Sequence, residues 1–282
     1  MIIVTDSACD IRGEEVEKYN IRVIPLNVTF GDKTYKDGID LKIDEFYEEL
    51  LKGNTFPKTG SPSPQDYVDI FEEAKEKGEE VLCITISTGL SGTYQNALLA
   101  KDIAEYDKVY VVDSLSCLQG LRLEVLNACR LRDEGKSVEE IVKVLEDIKH
   151  RIHIFSIVDT MEYFYKGGRI SKGAYAIGSL LKIKPFITLD KDGKIVKNGQ
   201  AMGYMKAYLI AEQQPKKFPI DKEYGLFYGY TMGEKNIEKF IDKTFHKFDM
   251  EKYDVSRIGC AAGSHIGPGA VCFVYVSTKE RV

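Results

Sequence analysis

The 282-residue sequence lacks the side-chain groupings that usually hold metals or close disulfide bonds. It has only four histidines, and none of its six cysteines stands in a C-x-x-C pair, so neither a multi-histidine metal centre nor a zinc site is predicted. Cys83 lies inside an apolar run, as is typical of a thiol that fills space in a core. We therefore expect reduced cysteines and neither a metal nor another cofactor.

Long apolar runs and an excess of positive charge are also missing. No stretch approaches the ~20 apolar residues that a membrane-spanning helix needs. The net charge is −5, which argues against general binding to nucleic acid or to anionic membranes, since both need a basic face. The chain opens with the apolar run Ile2 to Val4, closely followed by Asp6, which is unlike a signal peptide. We expect a cytoplasmic protein.

Named catalytic signatures are absent as well. The sequence contains no G-x-x-x-x-G-K-[ST] phosphate loop, no G-x-G-x-x-G after its first apolar run and no H-E-x-x-H. The segment Gly89-Leu90-Ser91-Gly92 falls short of the G-x-S-x-G that surrounds the nucleophile of an α/β hydrolase. No familiar kind of catalysis is therefore indicated by a motif.

The N-terminal part of the chain shows strands that alternate with helices. Residues 2–5, 81–86 and 109–112 are short apolar runs, typical of buried parallel strands. Helix starts stand between and after them, at Ser63-Pro64 with Asp66 and at Ser137 with Glu140. This order predicts an α/β domain over residues 1–154, with a parallel sheet and helices on both faces.

From about residue 152 the pattern changes. Two strands predicted at 185–189 and 194–197 are joined by a turn that ends in Asp192-Gly193, which indicates an antiparallel hairpin. The last predicted strands, 255–260 and 270–276, flank the glycine-rich stretch 263–269. We predict a second, α+β domain over residues 155–282, packed tightly on the first because no linker-like segment separates them.

Three short polar stretches rich in glycine and serine are the candidate sites: residues 59–63, 87–93 and 263–269. The second follows a strand and precedes a helix, where open α/β sheets bind ligands and free N–H groups attract anions. There Gly92 would let a ligand approach the backbone. The alternatives are a tight turn with Ser91 as the helix N-cap, and a purely structural His265.

Taken in order, these stretches resemble the DegV family of bacterial fatty-acid-binding proteins. The matching segments run nearly from one end of the chain to the other: Val4-Thr5-Asp6-Ser7-Ala8-Cys9-Asp10, Val23-Ile24-Pro25-Leu26, Pro57-Lys58-Thr59, Ile86-Ser87-Thr88-Gly89-Leu90-Ser91-Gly92-Thr93-Tyr94, Val112-Asp113-Ser114, Lys166-Gly167-Gly168-Arg169-Ile170, Lys184-Pro185 and His265-Ile266-Gly267-Pro268-Gly269. Each fragment alone is weak, but their order and spacing together are specific.

The resemblance implies two α/β domains with a long-chain fatty acid in a tunnel between them. Matched motif by motif, Thr59, Ser91 and His265 are the carboxylate contacts, with Gly92 beside them. The family implies that the chain is not itself an enzyme. The resemblance implies instead that the chain presents the carboxyl group to a separate ATP-dependent fatty acid kinase, which makes acyl phosphate for phospholipid synthesis. Arg169 matches a residue implicated in docking that kinase.

Four aliphatic or small residues on a predicted short helix are candidates for the wall around the acyl tail: Ala174, Ile177, Gly178 and Leu181. They are equally suited to a plain core. The sequence leaves the length, saturation and branching of the acyl chain open.

The chain departs from the family pattern at two places. Gly60-Ser61 stands where the family commonly has Ser-Gln. The family also often has two glycines separated by one residue, and here Gly120 is the first of them and Arg122 replaces the second. Both changes are compatible with binding of the head group, and both bear on the detail of the pocket.

Two other functions use the same residues. A hydrolase or acyltransferase would employ Ser91 as nucleophile and His265 as base, although no acid that would orient the histidine is identifiable. A sensor of a small phosphorylated metabolite would employ the helix start near Gly92.

For Arg169, the preceding Gly167-Gly168 pair predicts an exposed turn, where docking of a partner and a surface ion pair without function are the alternatives. We expect a monomer, since a partner must reach the head group.

Overall fold

The computed structural model describes residues 1–175 and 182–281. Its strands and α-helices follow one another in this order: β1 (Ile2–Asp6), α1 (Glu14–Lys18), β2 (Ile21–Ile24), β3 (Asn27–Phe30), β4 (Lys33–Lys36), α2 (Ile43–Lys52), β5 (Lys58–Gly60), α3 (Pro64–Lys77), β6 (Val81–Thr85), α4 (Thr93–Ala104), β7 (Val109–Asp113), α5 (Gln119–Asp133), α6 (Val138–Ile148), β8 (Ile152–Ile157), α7 (Glu162–Lys166), α8 (Lys172–Tyr175), β9 (Ile183–Leu189), β10 (Ile195–Met202), α9 (Gly203–Ala211), α10 (Gln214–Lys217), β11 (Leu226–Tyr230), α11 (Glu234–Thr244), β12 (Asp254–Arg257), α12 (Cys260–Ile266) and β13 (Val271–Val276). None of the helices in these two ranges has the length and apolar content to cross a membrane.

The part of the chain before β8 is built on a parallel sheet of strand order β2-β1-β6-β7. Every residue of β6 is buried, since both faces of the sheet are covered. Val81 and Cys83 pack in the cluster with α3 and α4, whereas Leu82 and Ile84 pack in the cluster with α5 and α6. The predicted parallel sheet with helices on both faces is confirmed.

The part from β8 onward is built on a six-stranded sheet of order β10-β9-β8-β13-β11-β12, in which only β11 and β12 run parallel. The predicted hairpin is present as β9 and β10. Strand β8 belongs to this sheet, so the boundary that we predict between residues 154 and 155 falls inside a strand. The strand predicted through residue 260 was wrong, because β12 ends at Arg257 and Cys260 begins α12.

A small antiparallel sheet, β4-β3-β5, lies against α12. A turn at Gly31 joins β3 to β4, and its left-handed φ of 57° suits glycine. Strand β5 carries Thr59 at its centre. The small sheet therefore brings a residue of the N-terminal part to a helix of the C-terminal part.

Buried charges fix α12 to the N-terminal part. The Asp37 carboxylate, which is 3% exposed, accepts hydrogen bonds from the first N–H groups of α12, Cys260 N at 3.2 Å and Ala261 N at 3.3 Å. Arg12 donates to Asp37 at 3.1 Å and to Asp10 at 3.2 Å. Because the Asp37 carboxylate has a cation and two N–H donors, the cost of desolvating it is offset.

Arg122, which stands where the family often has a glycine, makes a second ionic link between the two parts. Its side chain is 2% exposed and pairs with Glu15 of α1 at 2.5 Å and with Asp254 of β12 at 3.0 Å. The guanidinium thus faces a carboxylate from each part, and the departure from the family pattern lies away from the polar site described below.

The tip of the β9–β10 hairpin reaches the loop after β6. Ser87 Oγ donates to Gly193 O at 2.9 Å. A Cβ added to Gly193 would lie 2.1 Å from Ser87 Oγ. A Cβ added to Gly89 would lie 2.8 Å from Asp192 O. Glycine at both positions therefore allows the two backbones to touch.

Asp37→Asn should lower the free energy of unfolding by about 3–5 kcal/mol, because it removes the charge that Arg12 and the start of α12 depend on. Urea unfolding monitored by circular dichroism measures the change. The matched control is Asp32→Asn at an exposed turn, which should shift the value by less than about 0.5 kcal/mol. Equal stabilities for the two variants would contradict the anchoring role of Asp37.

Candidate functional site

A cavity lies where the two parts of the chain meet. Its wall includes Leu26, Ile86 and Leu118 from the N-terminal part and Ile154, Phe164 and Ile187 from β8 onward. Most of the wall is apolar, as is usual for small-molecule sites. The cavity therefore suits an apolar ligand.

Polar side chains gather in one region of this wall: Thr59, Ser61, Ser91, Arg169 and His265. Ser91 and Arg169, together with Leu90 and Ile195, also line an open groove on the surface. The polar region of the cavity thus adjoins solvent, which is the arrangement that an amphipathic ligand with one charged end requires.

Thr59 and His265 are 206 residues apart and in direct contact, with 2.7 Å between Thr59 Oγ1 and His265 Nε2. The other ring nitrogen, Nδ1, is buried and has no hydrogen-bond partner among the described residues. Because a buried N–H without an acceptor is costly, we assign the proton to Nε2, which donates to Thr59. The Thr59 hydroxyl proton is then free to donate to a ligand.

His265 is a neutral imidazole at physiological pH. Burial lowers its pKa to about 3, and the nearby positive charge of Arg169 contributes in the same direction. The ring packs against Gly167, where an added Cβ would lie 2.1 Å from Nδ1. Gly167 therefore has to remain without a side chain for His265 to reach Thr59.

Ser91 precedes α4 but is not its N-cap. The alternative that Ser91 caps the helix was therefore wrong by one residue. The N-cap is Gly92, whose position has no side-chain capping bond. Ser91 Oγ lies 2.8 Å from Thr93 Oγ1, and either oxygen can be the donor. The first N–H groups of α4 thus keep their capacity to bind an anion beside Ser91.

Arg169 departs from the exposed turn that its glycines predicted. Gly168 is exposed with φ 74°, but the arginine is half-buried and donates to Leu90 O at 3.1 Å and to Gly167 O at 2.6 Å. Desolvation lowers its pKa, and no carboxylate of the described residues forms an ion pair with it. This partly desolvated cation without a counterion favours an anionic group at the same place.

The predicted tail residues are placed only in part. Ala174 lies in the wall of the open groove and not in that of the cavity. Ile177, Gly178 and Leu181 lie outside the described residues. The apolar wall includes strand residues such as Ile154 and Ile187, which we did not propose, because an apolar strand residue looks the same in sequence whether it faces a core or a cavity.

The geometry does not assemble a catalytic pair. The hydroxyl of Ser91 bonds to Thr93, and His265 bonds to Thr59, so the two proposed catalytic side chains have different partners. No carboxylate among residues 1–175 and 182–281 bonds to His265 Nδ1. In the same ranges, no group of three or more His, Cys, Asp and Glu side chains is arranged to hold a metal ion.

Comparison with known proteins identifies relatives of the whole chain. A family model described as "Uncharacterised protein, DegV family" matches residues 1–278. A DegV domain-containing protein from Caldanaerobacter subterraneus subsp. tengcongensis is 34% identical over 271 residues, which cover 95% of each chain.

Two solved structures have the same fold. A DegV family protein from Thermus thermophilus, described by its fatty acid binding, has a TM-score of 0.89 at 30% identity and covers 98% of this chain and 99% of its own. A stearic acid-binding protein from Eubacterium ventriosum has a TM-score of 0.88 at 30% identity, over 97% of each chain.

The low pKa of His265 predicts an acid-sensitive contribution to stability. Between about pH 6.5 and 3 the unfolded chain protonates this histidine and the folded protein does not, so its contribution falls by up to about 1.4 kcal/mol for each pH unit of acidification. His265→Gln removes the effect. The stability difference between wild type and variant should be constant above about pH 7 and should change in the variant's favour towards pH 5.

Urea titrations of both proteins at several pH values measure this difference. His246→Gln, at an exposed histidine, is the matched control for the loss of an imidazole. A difference that is the same at every pH would show that the folded protein protonates His265 as readily as the unfolded chain does.

Proposed function

Since the chain belongs to the DegV family, we propose that it binds a long-chain fatty acid in the cavity between its two parts. The observation that carries the proposal is a largely apolar cavity between the two parts, with polar side chains next to an open groove. The carboxyl group lies among Thr59, Ser91 and His265, beside Gly92, and the acyl tail fills the apolar space. The fatty acid binding described for the relatives from Thermus thermophilus and Eubacterium ventriosum supports the same ligand class.

The acyl tail supplies most of the binding free energy. A C16 chain buries about 14 methylenes, which contribute on the order of 11 kcal/mol at ~0.8 kcal/mol each. Association itself costs roughly 4–15 kcal/mol. The tail alone therefore leaves at most about 7 kcal/mol, which corresponds to a Kd of several micromolar. Tighter binding requires head-group contacts that more than offset the desolvation of the carboxylate.

The polar region offsets that desolvation. A buried carboxylate is tolerated when it receives hydrogen bonds and faces positive charge. Thr59, with its proton released by the His265 contact, and Ser91 can each donate, as can the uncapped N–H groups of α4. Arg169 supplies the positive charge that the neutral His265 does not.

We further propose that the protein is not an enzyme by itself and presents the bound carboxyl group to a separate ATP-dependent kinase. The open groove, which shares Ser91 and Arg169 with the cavity, supports this because it leaves the head group accessible from outside. Arg169 donates hydrogen bonds from Nε and Nη1 to backbone carbonyls, and its Nη2 has no partner among the described residues. That nitrogen is available to a carboxylate on the kinase.

The alternatives find less support. A serine hydrolase needs Ser91 hydrogen-bonded to His265, and each instead has another partner. A phosphorylated metabolite would suit the helix start but would leave the apolar wall unused.

The full-length protein should carry a fatty acid after expression and purification. Denaturation, extraction with organic solvent and mass spectrometry of the extract test this directly. Delipidated protein incubated with palmitate should regain one fatty acid per chain. Absence of any fatty acid in the extract, together with no uptake of palmitate, would refute the proposed function. Recovery of a phosphorylated metabolite would favour the sensor instead.

Arg169→Ala should separate binding of the fatty acid from its delivery. Loss of the positive charge should weaken palmitate binding, and, if the guanidinium also docks the kinase, the variant saturated with palmitate should still yield little acyl phosphate with a cognate kinase. That defect should grow as salt screens the rest of the interface. Lys172→Ala, at an exposed cation nearby, is the matched control. Full coupling in palmitate-saturated Arg169→Ala would contradict the docking role and would leave Arg169 a role in the pocket alone.

A further inference from the structure

Ser61 and Asn96 form a hydrogen-bonded pair in the polar region of the cavity. Ser61 is half-buried in the loop after β5 and lines the cavity two residues from Thr59. Asn96 lies in the first turns of α4, the helix that begins beside Ser91. Its Nδ2 donates to Ser61 Oγ at 3.1 Å and to Pro62 O at 2.7 Å.

The orientation of the Asn96 amide follows from chemistry. A backbone carbonyl such as Pro62 O can only accept, so the group 2.7 Å from it has to be the amide nitrogen and not the amide oxygen. The same nitrogen is then the donor to Ser61 Oγ. Both of its hydrogens are thereby used, and Ser61 acts as the acceptor in the pair.

The Ser61 hydroxyl is consequently left with a proton to donate. No acceptor for that proton lies within hydrogen-bonding distance in the described part of the chain. The hydroxyl faces the start of α4, since a Cβ added to Gly92 would lie 3.9 Å from Ser61 Oγ. A free donor thus lines the cavity next to the residues that we assign to the carboxyl group.

We propose that Ser61 is a further ligand of the fatty acid carboxylate and that Asn96 is its positioning residue. This inference rests on the proposed function and extends its site from two hydroxyls to three. Asn96 keeps the Ser61 oxygen engaged as an acceptor, which directs the remaining proton into the cavity. It also holds the Ser61 loop to the helix that carries the other donors, so Thr59 and Ser91 stay at a fixed separation.

The chain provides a control for the loop-holding part of this role. Asn27 Nδ2 donates to Ser61 O, the backbone carbonyl, at 3.3 Å. Asn27 therefore restrains the same loop without touching the hydroxyl. A variant at position 27 loosens the backbone, and a variant at position 96 also releases the Ser61 side chain.

The test uses the full-length protein and palmitate labelled with ¹³C at the carboxyl carbon. Ser61→Ala should weaken palmitate binding by about tenfold to a hundredfold, the loss expected for one hydrogen bond to a charged acceptor. The carboxyl group of bound palmitate should also titrate at higher pH in the NMR spectrum, because its ionised form has lost a donor. Ser61→Thr, which keeps the hydroxyl, should restore both properties.

Asn96→Ala should give a smaller loss of affinity and a shift of the carboxyl titration in the same direction, and the shift should disappear in the Ser61→Ala background. Asn27→Ala should leave the carboxyl titration unchanged. Thermal unfolding of each variant confirms that it is folded.

The outcomes separate this inference from the proposed function. If wild type takes up no palmitate, the proposed function fails. If wild type binds palmitate and Ser61→Ala binds it with the same affinity and the same carboxyl titration, only the role of Ser61 is overturned. A shift in Asn27→Ala as large as in Asn96→Ala would overturn the positioning role of Asn96 and leave a merely structural loop contact.

Discussion

The cavity depends on the carboxylate of Asp37. This one side chain accepts the first N–H groups of α12 and pairs with Arg12, so a helix from the C-terminal part is held in the N-terminal part by a buried charge. Helix α12 carries His265 to Thr59, and the small sheet beneath it carries Thr59 to His265. Apolar packing alone is non-directional and would leave the rotation of a seven-residue helix poorly defined. The directed bonds to Asp37 define that rotation.

The polar region combines a neutral imidazole with a cation that has no counterion. His265 orients Thr59, and Arg169 contributes charge from a partly desolvated position. Before a ligand enters, the region therefore has a surplus positive charge on a protein whose net charge is −5. A carboxylate cancels that surplus, whereas a neutral lipid such as an alcohol or ester would leave it in place. If the ligand is the fatty acid proposed above, local charge favours the acid over its uncharged relatives, and the tail contributes most of the energy.

The sequence predicted the parallel sheet, the β9–β10 hairpin and the convergence of Thr59 and His265, each through a different signal. The order of apolar runs, helix starts and turn residues is a local signal, so it locates strands and helices. The contact between Thr59 and His265, 206 residues apart, was predicted from the family resemblance alone. Arg169 was misjudged because its glycines report backbone shape and not where the side chain folds. Helix α12 was not predicted from the sequence, and within it Gly263 packs close to Tyr47, where an added Cβ would lie 2.7 Å from the hydroxyl oxygen. Glycine there serves packing, which no local pattern reveals.

The close approach of the β9–β10 hairpin to the loop after β6 has an evolutionary consequence. Gly193 cannot gain a methyl group without meeting Ser87, and Gly89 cannot gain one without meeting Asp192. A larger residue at Gly89 or Gly193 is tolerable only if the opposite segment moves away. The hairpin tip and the loop after β6, more than one hundred residues apart in sequence, can therefore vary only together. Drift in the length or tilt of the hairpin is restricted for the same reason. The groove beside Lys194 and Ser91 is therefore expected to keep its width among descendants of this chain while its side chains diversify.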